Sequence, residues 1–175
     1  MIIALTGTPG TGKTTIAARL REKGEEVIDL NIHIEEKKLK DRFDKKRDTY
    51  NVDVIKLNRS LNDLPKDGNV FLEGHLSHFL NCDIIIVVRC NPSVLRERLV
   101  KRNYPAQKIT ENVQAEALDV ILCESSESNA HVFEIDNTSC TTEEAISAVA
   151  DIIAGNNERY RPGSVDWTEE MEKWC

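Results

Sequence analysis

The chain has 175 residues, 40% of them hydrophobic and 30% charged, with a net charge of −7. That is the size and composition of one soluble globular domain. The longest apolar runs, Ile84–Val88 and Val70–Leu72, fall far short of the ~20 residues of a membrane span, and the acidic balance argues against nucleic-acid binding driven by overall positive charge.

Strand and helix patterns alternate along the chain. Ile2–Thr6 is a short apolar run ending at Gly7 and reads as a buried parallel strand. Thr14–Lys23 has helical spacing and stops at Gly24; Val27–Leu30 is a second strand. The charged stretch Ile32–Arg47 is predicted as one or two short surface helices. Val54–Leu64 carries apolar residues at 54, 57, 61 and 64, a helical stripe halted by Pro65. Asn69–Glu73 and Asp83–Arg89 are strands, and Pro92 opens a helix to Val100 from its first turn. One longer helix is predicted from about Thr110 to Glu124, then a strand at Val132–Ile135 and a helix at Thr142–Ala154 capped by Thr141 or Thr142. This order implies α/β architecture: helices on both faces of a parallel five-stranded sheet, one domain over residues 1–175. The tail 155–175, with Trp167 and Trp174 as its large apolar anchors, is predicted to pack back on the domain.

Five cysteines, Cys82, Cys90, Cys123, Cys140 and Cys175, contain no CxxC pair, which speaks against a disulfide framework or zinc ribbon and for a reducing compartment. The N-terminus has neither a basic start nor a small-residue cleavage site. A cytoplasmic protein is expected, with no membrane partner and no sequence-specific DNA partner. Charge is uneven. Residues 37–47 hold seven Lys or Arg against two Asp, and from Ile109 to Asn156 ten acidic residues occur with no Lys or Arg. These stretches are either solvated helix faces or surfaces for phosphates and for a basic partner respectively.

Residues 7–14, Gly7-Thr8-Pro9-Gly10-Thr11-Gly12-Lys13-Thr14, satisfy GxxxxGK[ST]. Glycines let the backbone turn tightly enough to aim successive N–H groups at a triphosphate, and the helix that follows adds its positive end. Lys13 would reach the β- and γ-phosphates, and the Thr14 hydroxyl is placed to ligate Mg2+. The motif stands after a buried strand and before a helix, as a phosphate loop must. No Asn/Thr-Lys-x-Asp guanine reader occurs, so a GTPase is disfavoured and a small phosphotransferase or ATPase remains. Glu73, at the end of its strand, could hold a Mg2+-bound water, and His75 lies two residues on; His78 and His131 read as structural. Arg96, Arg98 and Arg102 follow the strand Asp83–Arg89, and Arg98 and Arg102, four apart, would share a helix face and could offset charge developing on a transferring phosphoryl group.

The stretches GTPGTGKTT, EGHLSHFLNCDIIIVVRC and LRERLVKRNYPAQKITENVQAEALDVIL, about 55 of the 175 residues, resemble the archaeal and eukaryotic adenylate kinase isoenzyme 6 family, and the tail RYRPGSVDW is closest to its archaeal branch. The resemblance implies a P-loop, nucleoside-monophosphate-kinase-like fold in three α/β/α layers, with a monophosphate-binding flap at about 30–53 and a lid at about 101–111. It implies that Gly10, Gly12, Lys13, Thr14, Thr15 and Arg102 hold ATP, with Arg102 as lid arginine, and that Glu73-x-His75 matches the family's acidic-x-His element. It also implies phosphate transfer from ATP to AMP or another monophosphate, and ATP hydrolysis during maturation of the small ribosomal subunit with transient binding of universal small-subunit ribosomal protein 11. Two departures stand out. Asn137-Thr138-Ser139-Cys140 replaces a loop that commonly carries Lys near the adenine, and Ile32–Leu39 has no arginine, leaving Lys37, Lys38, Arg42 or Arg47 for the AMP phosphate. Three readings remain open: a monophosphate kinase using Lys13, Arg98 and Arg102, with His75 orienting water for hydrolysis; an assembly ATPase switching a contact with a basic ribosomal protein; and, more weakly, a shikimate-type small-metabolite kinase.

Overall fold

A computed structural model describes residues 1–44, 49–64 and 67–175, and the side chains of all of these but 42–44 and 49. Five strands, β1 (Ile2–Thr6), β2 (Glu26–Asp29), β5 (Val70–Glu73), β6 (Ile84–Arg89) and β7 (His131–Asp136), form one parallel sheet in the order β2-β5-β1-β6-β7. Because side chains alternate across a strand, the even and odd positions of one strand serve different layers. Ile84, Ile86 and Val88 of β6 pack with α1 (Lys13–Glu22) and α7 (Thr142–Ile153) through Ile16, Leu20 and Val149. Ile85 and Val87 face the opposite layer, where Leu122 of α6 (Val120–Ser126) covers them. The result is the three-layer α/β/α arrangement that the sequence implies. Among the described residues no helix is long and apolar enough to cross a membrane.

Between β2 and β5 the chain departs from expectation. The stretch 32–47 reads as one or two short surface helices, of which 45–47 lie outside the described residues; α2 runs only over Leu30–Glu36, and Lys40–Asp44 is a strand (β3) paired antiparallel with β4 (Thr49–Val52), ahead of α3 (Val54–Ser60). Asp29 starts α2, its carboxylate accepting from the N–H groups of Asn31 (2.8 Å) and Ile32 (3.2 Å). Lys38 stops it. At φ 53° its N–H donates to Glu35 O while Leu39 N–H donates back to Ile34 O, the paired closing bonds of a left-handed helix end, with Leu39 and Ile34 in one apolar cluster. Glycine usually fills that position; here a lysine does. Pro65, predicted to halt α3, lies outside the described residues, and α3 itself ends at Ser60.

The helix predicted over 110–124 is two helices, α5 (Ala106–Ala117) and α6, because Asp119 takes φ 54° between them. That turn swings the Asp119 carboxylate onto Arg89. Arg89, at the end of β6 and 1% exposed, donates from Nε to Glu116 (2.8 Å) and from Nη1 to Glu134 (2.7 Å), and pairs with Asp119. Of the acidic stretch from Ile109 to Asn156, Glu116 and Glu134 are turned inward, while Glu124, Glu143 and Glu144 stay exposed with partners inside the chain. Glu116, Asp119 and Glu134 hold Arg89, the Glu124 carboxylate lies 3.1 Å from His78 Nε2, Glu143 accepts from Arg19, and Glu144 closes the cap of α7 with Thr141.

The remaining helices are α4 (Pro92–Lys101), capped by the Asn91 side-chain amide oxygen, which accepts from Ser93 N and Val94 N, and α8 (Thr168–Trp174) in the tail. The tail does fold back on the domain: Gln114 donates to the Trp174 carbonyl (2.9 Å) and Ser93 to Glu170 (2.6 Å). Replacing Arg89 alone would leave Glu116 and Glu134 as unpaired buried carboxylates. Arg89→Met is expected to destabilise the fold by about 3–5 kcal/mol in urea titrations; a loss below about 1 kcal/mol would contradict the cluster's structural role.

Candidate active site

The carboxyl ends of β1, β5 and β6 form one edge of the sheet, where an α/β fold gathers its ligand site. The phosphate loop leaves β1 there. Gly7 (φ 135°) lies so close to β6 that a Cβ would sit 2.3 Å from the Val88 carbonyl oxygen, and at Gly12 (φ 110°) it would sit 2.2 Å from Asn137 Nδ2. Gly7 needs glycine for conformation and for space, and Gly12 for its conformation. Gly12 is also the residue before α1, so the loop ends on the open N-terminal turn of that helix, whose free N–H groups favour an anion.

Lys13 is 7% exposed, and its ammonium donates to Gly7 O (2.6 Å) and Thr8 O (3.0 Å). Burial pulls its pKa down to about 8, with Arg102 adding to the fall and the carboxylates of Glu73 and Glu116 opposing it. The exposed Thr14 hydroxyl donates to Glu73 Oε1 at 3.2 Å. Glu73, 4% exposed, is pushed above the usual carboxylate range by burial and then by Asp29, its register partner on β2, with Lys13 pulling the other way. Oxygen donors of this kind suit Mg2+. Among the described residues no cluster of three His, Cys, Asp or Glu could hold a metal ion by itself; Thr14 and Glu73 would leave most of the shell of a Mg2+ to phosphate and water oxygens.

His75 follows Glu73 and is exposed, yet the protein crowded around it, and then the charges of Lys13 and His78, lower its pKa, so its ring is neutral at pH 7. His78 is buried and bridges elements, with Nδ1 2.9 Å from Thr6 Oγ1 and Nε2 facing Glu124, as its structural reading anticipates. On the other side of the loop a cleft of about 370 Å3 is lined by Gly10, Gly12, Thr15, Arg98, Arg102 and Asn137, with Cys140 at its edge. The structure thus brings together the loop glycines, Thr15 and both arginines. Arg98 is already engaged: its guanidinium donates to the carbonyls of Thr138 (2.8 Å), Asn137 (3.0 Å) and Thr11 (3.4 Å). Arg102 is exposed at the end of α4, and Arg96 sits over the Trp174 ring, 5.9 Å from its centroid. A larger recess of about 750 Å3 lies at the amino ends of the strands, beside Ile2, Asp83 and His131, and holds no residue of the loop.

The stretch expected as flap folds as α2 and the β3–β4 pair; Lys37 and Lys38 are exposed at the end of α2, while Arg47 and the side chain of Arg42 lie outside the described residues. The sequence leaves Asp29 and Glu116 unannounced, and offers Asn137 in the loop expected near the adenine without its partner. Asp29 signals itself only as an acid at a strand end before a helix. Asn137 reaches across 126 residues to donate to Thr11 O at 2.7 Å. Glu116, on α5, accepts from the Thr8 hydroxyl at 2.6 Å, and no spacing in the sequence announces that contact.

The loop, its sheet position and the flanking arginines define a P-loop fold of the kinase type. Solved structures agree on the fold. Shikimate kinase from Bacteroides thetaiotaomicron superposes with a TM-score of 0.59 at 17% identity, covering 88% of this chain and 98% of that one. A deoxyadenosine kinase from M. mycoides with bound dATP gives 0.56 at 16%, covering 88% and 100%. Residues 3–119 match the family described as AAA domain. A protein of Archaeoglobus fulgidus named "Putative adenylate kinase" is 47% identical over 175 residues, 98% of this chain and 94% of its own, and its namesake in Methanocaldococcus jannaschii is 45% identical over 97% and 94%. The chain belongs to this family, the archaeal branch of the adenylate kinase isoenzyme 6 group.

A lysine whose pKa falls from 10.5 to about 8 on folding costs the fold about 3 kcal/mol at neutral pH. The folded state binds fewer protons than the unfolded one between those two values, so that cost shrinks as pH rises through them. Lys13→Met is expected to melt at or above the wild-type temperature at pH 7, with the difference narrowing toward pH 10. A large fall in melting temperature at pH 7 would contradict it.

Proposed function

We propose that this protein transfers the γ-phosphoryl group of Mg2+-bound ATP to AMP or a related nucleoside monophosphate, yielding two nucleoside diphosphates. The observation that carries the reading is one edge of the sheet holding Lys13, the Thr14–Glu73 pair and the arginine-lined cleft together. Family membership supports it.

In this reading Gly10, Gly12, Thr14 and Thr15 bind the phosphates of ATP through backbone N–H groups and hydroxyls, and its nucleoside occupies the cleft beside Arg98, Arg102 and Asn137. Lys13 trades its carbonyl partners for β- and γ-phosphate oxygens. A Mg2+ held by the Thr14 hydroxyl, and through water by Glu73, neutralises part of the phosphate charge when bound. An oxygen of the monophosphate attacks the γ-phosphorus while the bond to the β–γ bridging oxygen breaks and ADP leaves. The nucleophile is already anionic, so no general base is needed. Lys13 and Arg102 meet charge as it spreads over the transferring group, and Arg98 holds the loop and the 137–138 backbone in place for them. Lys37 and Lys38 are the described cations available to the acceptor phosphate. Neutral His75 can accept a hydrogen bond from water and so orient it for hydrolysis, a second activity of the same site.

The assembly role, with small-subunit ribosomal protein 11 and the immature subunit as partners, rests on the family resemblance. Of the acidic residues that favour a basic partner, Glu116 and Glu134 are buried on Arg89, and Glu111, Glu124, Glu127 and Asp136 are among those left on the surface. The likeness to shikimate kinase is one of fold.

The test is incubation with Mg-ATP, with and without AMP, measuring ADP and free phosphate separately. Two ADP per AMP consumed, with little free phosphate, is the expected result; phosphate release that AMP neither redirects nor needs would overturn the kinase reading. Lys13→Ala should reduce both activities by about 10²-fold or more, and appreciable residual turnover would refute the loop's role. His75→Ala is expected to depress phosphate release more than AMP phosphorylation, and equal losses would refute that division.

A further inference from the structure

Among the described residues, Glu116 is the one carboxylate that touches the phosphate loop, Arg89 and the C-terminal tail at once. It is 3% exposed. Its Oε2 accepts from the Thr8 hydroxyl at 2.6 Å, and its Oε1 accepts from Arg89 Nε (2.8 Å), Cys90 N (3.2 Å) and Trp167 Nε1 (3.3 Å). Thr8 is in turn the pivot of the loop, since its carbonyl accepts from Lys13 Nζ (3.0 Å), Thr11 N (3.2 Å) and the Thr11 hydroxyl (3.0 Å). The tail caps this assembly. Val165 N and Ser164 Oγ donate to Glu134 Oε1, the free oxygen of Arg89's other buried partner, at 2.9 and 3.3 Å, and Trp167 lies over the Arg89 guanidinium, 5.9 Å from ring centroid to carbon.

We propose that Glu116 is a positioning residue for the phosphate loop and that the tail segment 164–174 is, through Trp167, a working part of the ATP site. A carboxylate fixed by four donors in a dry environment holds the Thr8 hydroxyl, and hence the Thr8 carbonyl, in one place. Removing the indole N–H and its ring admits water to the cluster, weakens that hold and loosens the loop. The tail thereby sets the affinity for the triphosphate from the far side of the loop, without touching it. This rests on triphosphate binding at the loop and not on AMP as acceptor.

The experiment is calorimetric titration of Mg-ATP into the full-length protein, with melting temperatures recorded without ligand. Thr8→Val keeps the side-chain shape and deletes the donor; Thr8→Ser keeps the donor. Thr8→Val and Trp167→Ala are each expected to weaken Mg-ATP binding roughly tenfold, a size in keeping with losing a charge-assisted hydrogen bond. Thr8→Ser should stay within about twofold of wild type, and the double variant Thr8→Val/Trp167→Ala should fall well short of the hundredfold product, because both act through one carboxylate. Trp167→Phe, which keeps an aromatic ring over Arg89, serves if the alanine variant does not fold. Lower melting temperatures with unchanged affinity, or effects that multiply in full, would overturn the proposal. Wild-type protein that fails to bind Mg-ATP would overturn the nucleotide reading along with it.

Discussion

A loop that turns backbone N–H groups toward an anion has few of them left to bond within itself, so most of its hold has to come from its surroundings. Here the hold comes from every side. Gly7 is pressed against the Val88 carbonyl of β6, and Gly12 against the Asn137 side chain from the end of β7. The Lys13 ammonium closes the loop from within through Gly7 and Thr8, and Glu116 grips it from α5. The order β2-β5-β1-β6-β7 makes this possible, because it puts β5 and β6 on either side of the strand that carries the loop.

Electrostatics at this edge follow from burial. Lys13 and Glu73 are both taken largely out of water, and each is driven toward its neutral form by desolvation while the other resists the change. In the proposed reading, a polyphosphate with its metal ion would supply negative charge to Lys13 and positive charge to Glu73. The Arg89 cluster beneath works differently. Its cation has three carboxylates and its carboxylates have backbone and indole donors as well, and among the described residues no buried side-chain nitrogen or oxygen is left without a partner. The first pair is poised for a ligand, whereas the second is complete without one.

Much of this was legible in the sequence, for identifiable reasons. Short apolar runs place all five sheet strands, and the loop motif with the acid at the end of β5 brings Lys13, Thr14 and Glu73 together. What stayed hidden is helix termination by residues other than glycine and proline. Lys38 and Asp119 adopt positive φ; a stretch read as one or two short helices becomes a helix and a strand, and the helix read over 110–124 becomes two. Side-chain partners distant in the chain stayed hidden too. The stretch 109–156, acidic and without Lys or Arg, reads as a surface, yet Glu116 and Glu134 are buried on Arg89, and exposed Glu143, Glu124 and Glu144 meet Arg19, His78 and a helix cap. Arg98 shows the same limit: its position on α4 follows from periodicity, and its three carbonyl partners do not.

The central claim is that ATP and a monophosphate meet across the phosphate loop, one on the Arg98–Arg102 side and one toward α2. The most direct measurement is a crystal structure with Mg2+ and a bisubstrate analogue in which two adenosines are joined by five phosphates. The account predicts one adenosine in the cleft beside Gly12, Thr15, Arg102 and Asn137, the phosphates along the loop and Lys13, and the second adenosine against α2 and the β3–β4 pair. An analogue bound with its phosphates away from Lys13, or with nothing ordered on the α2 side, would contradict it.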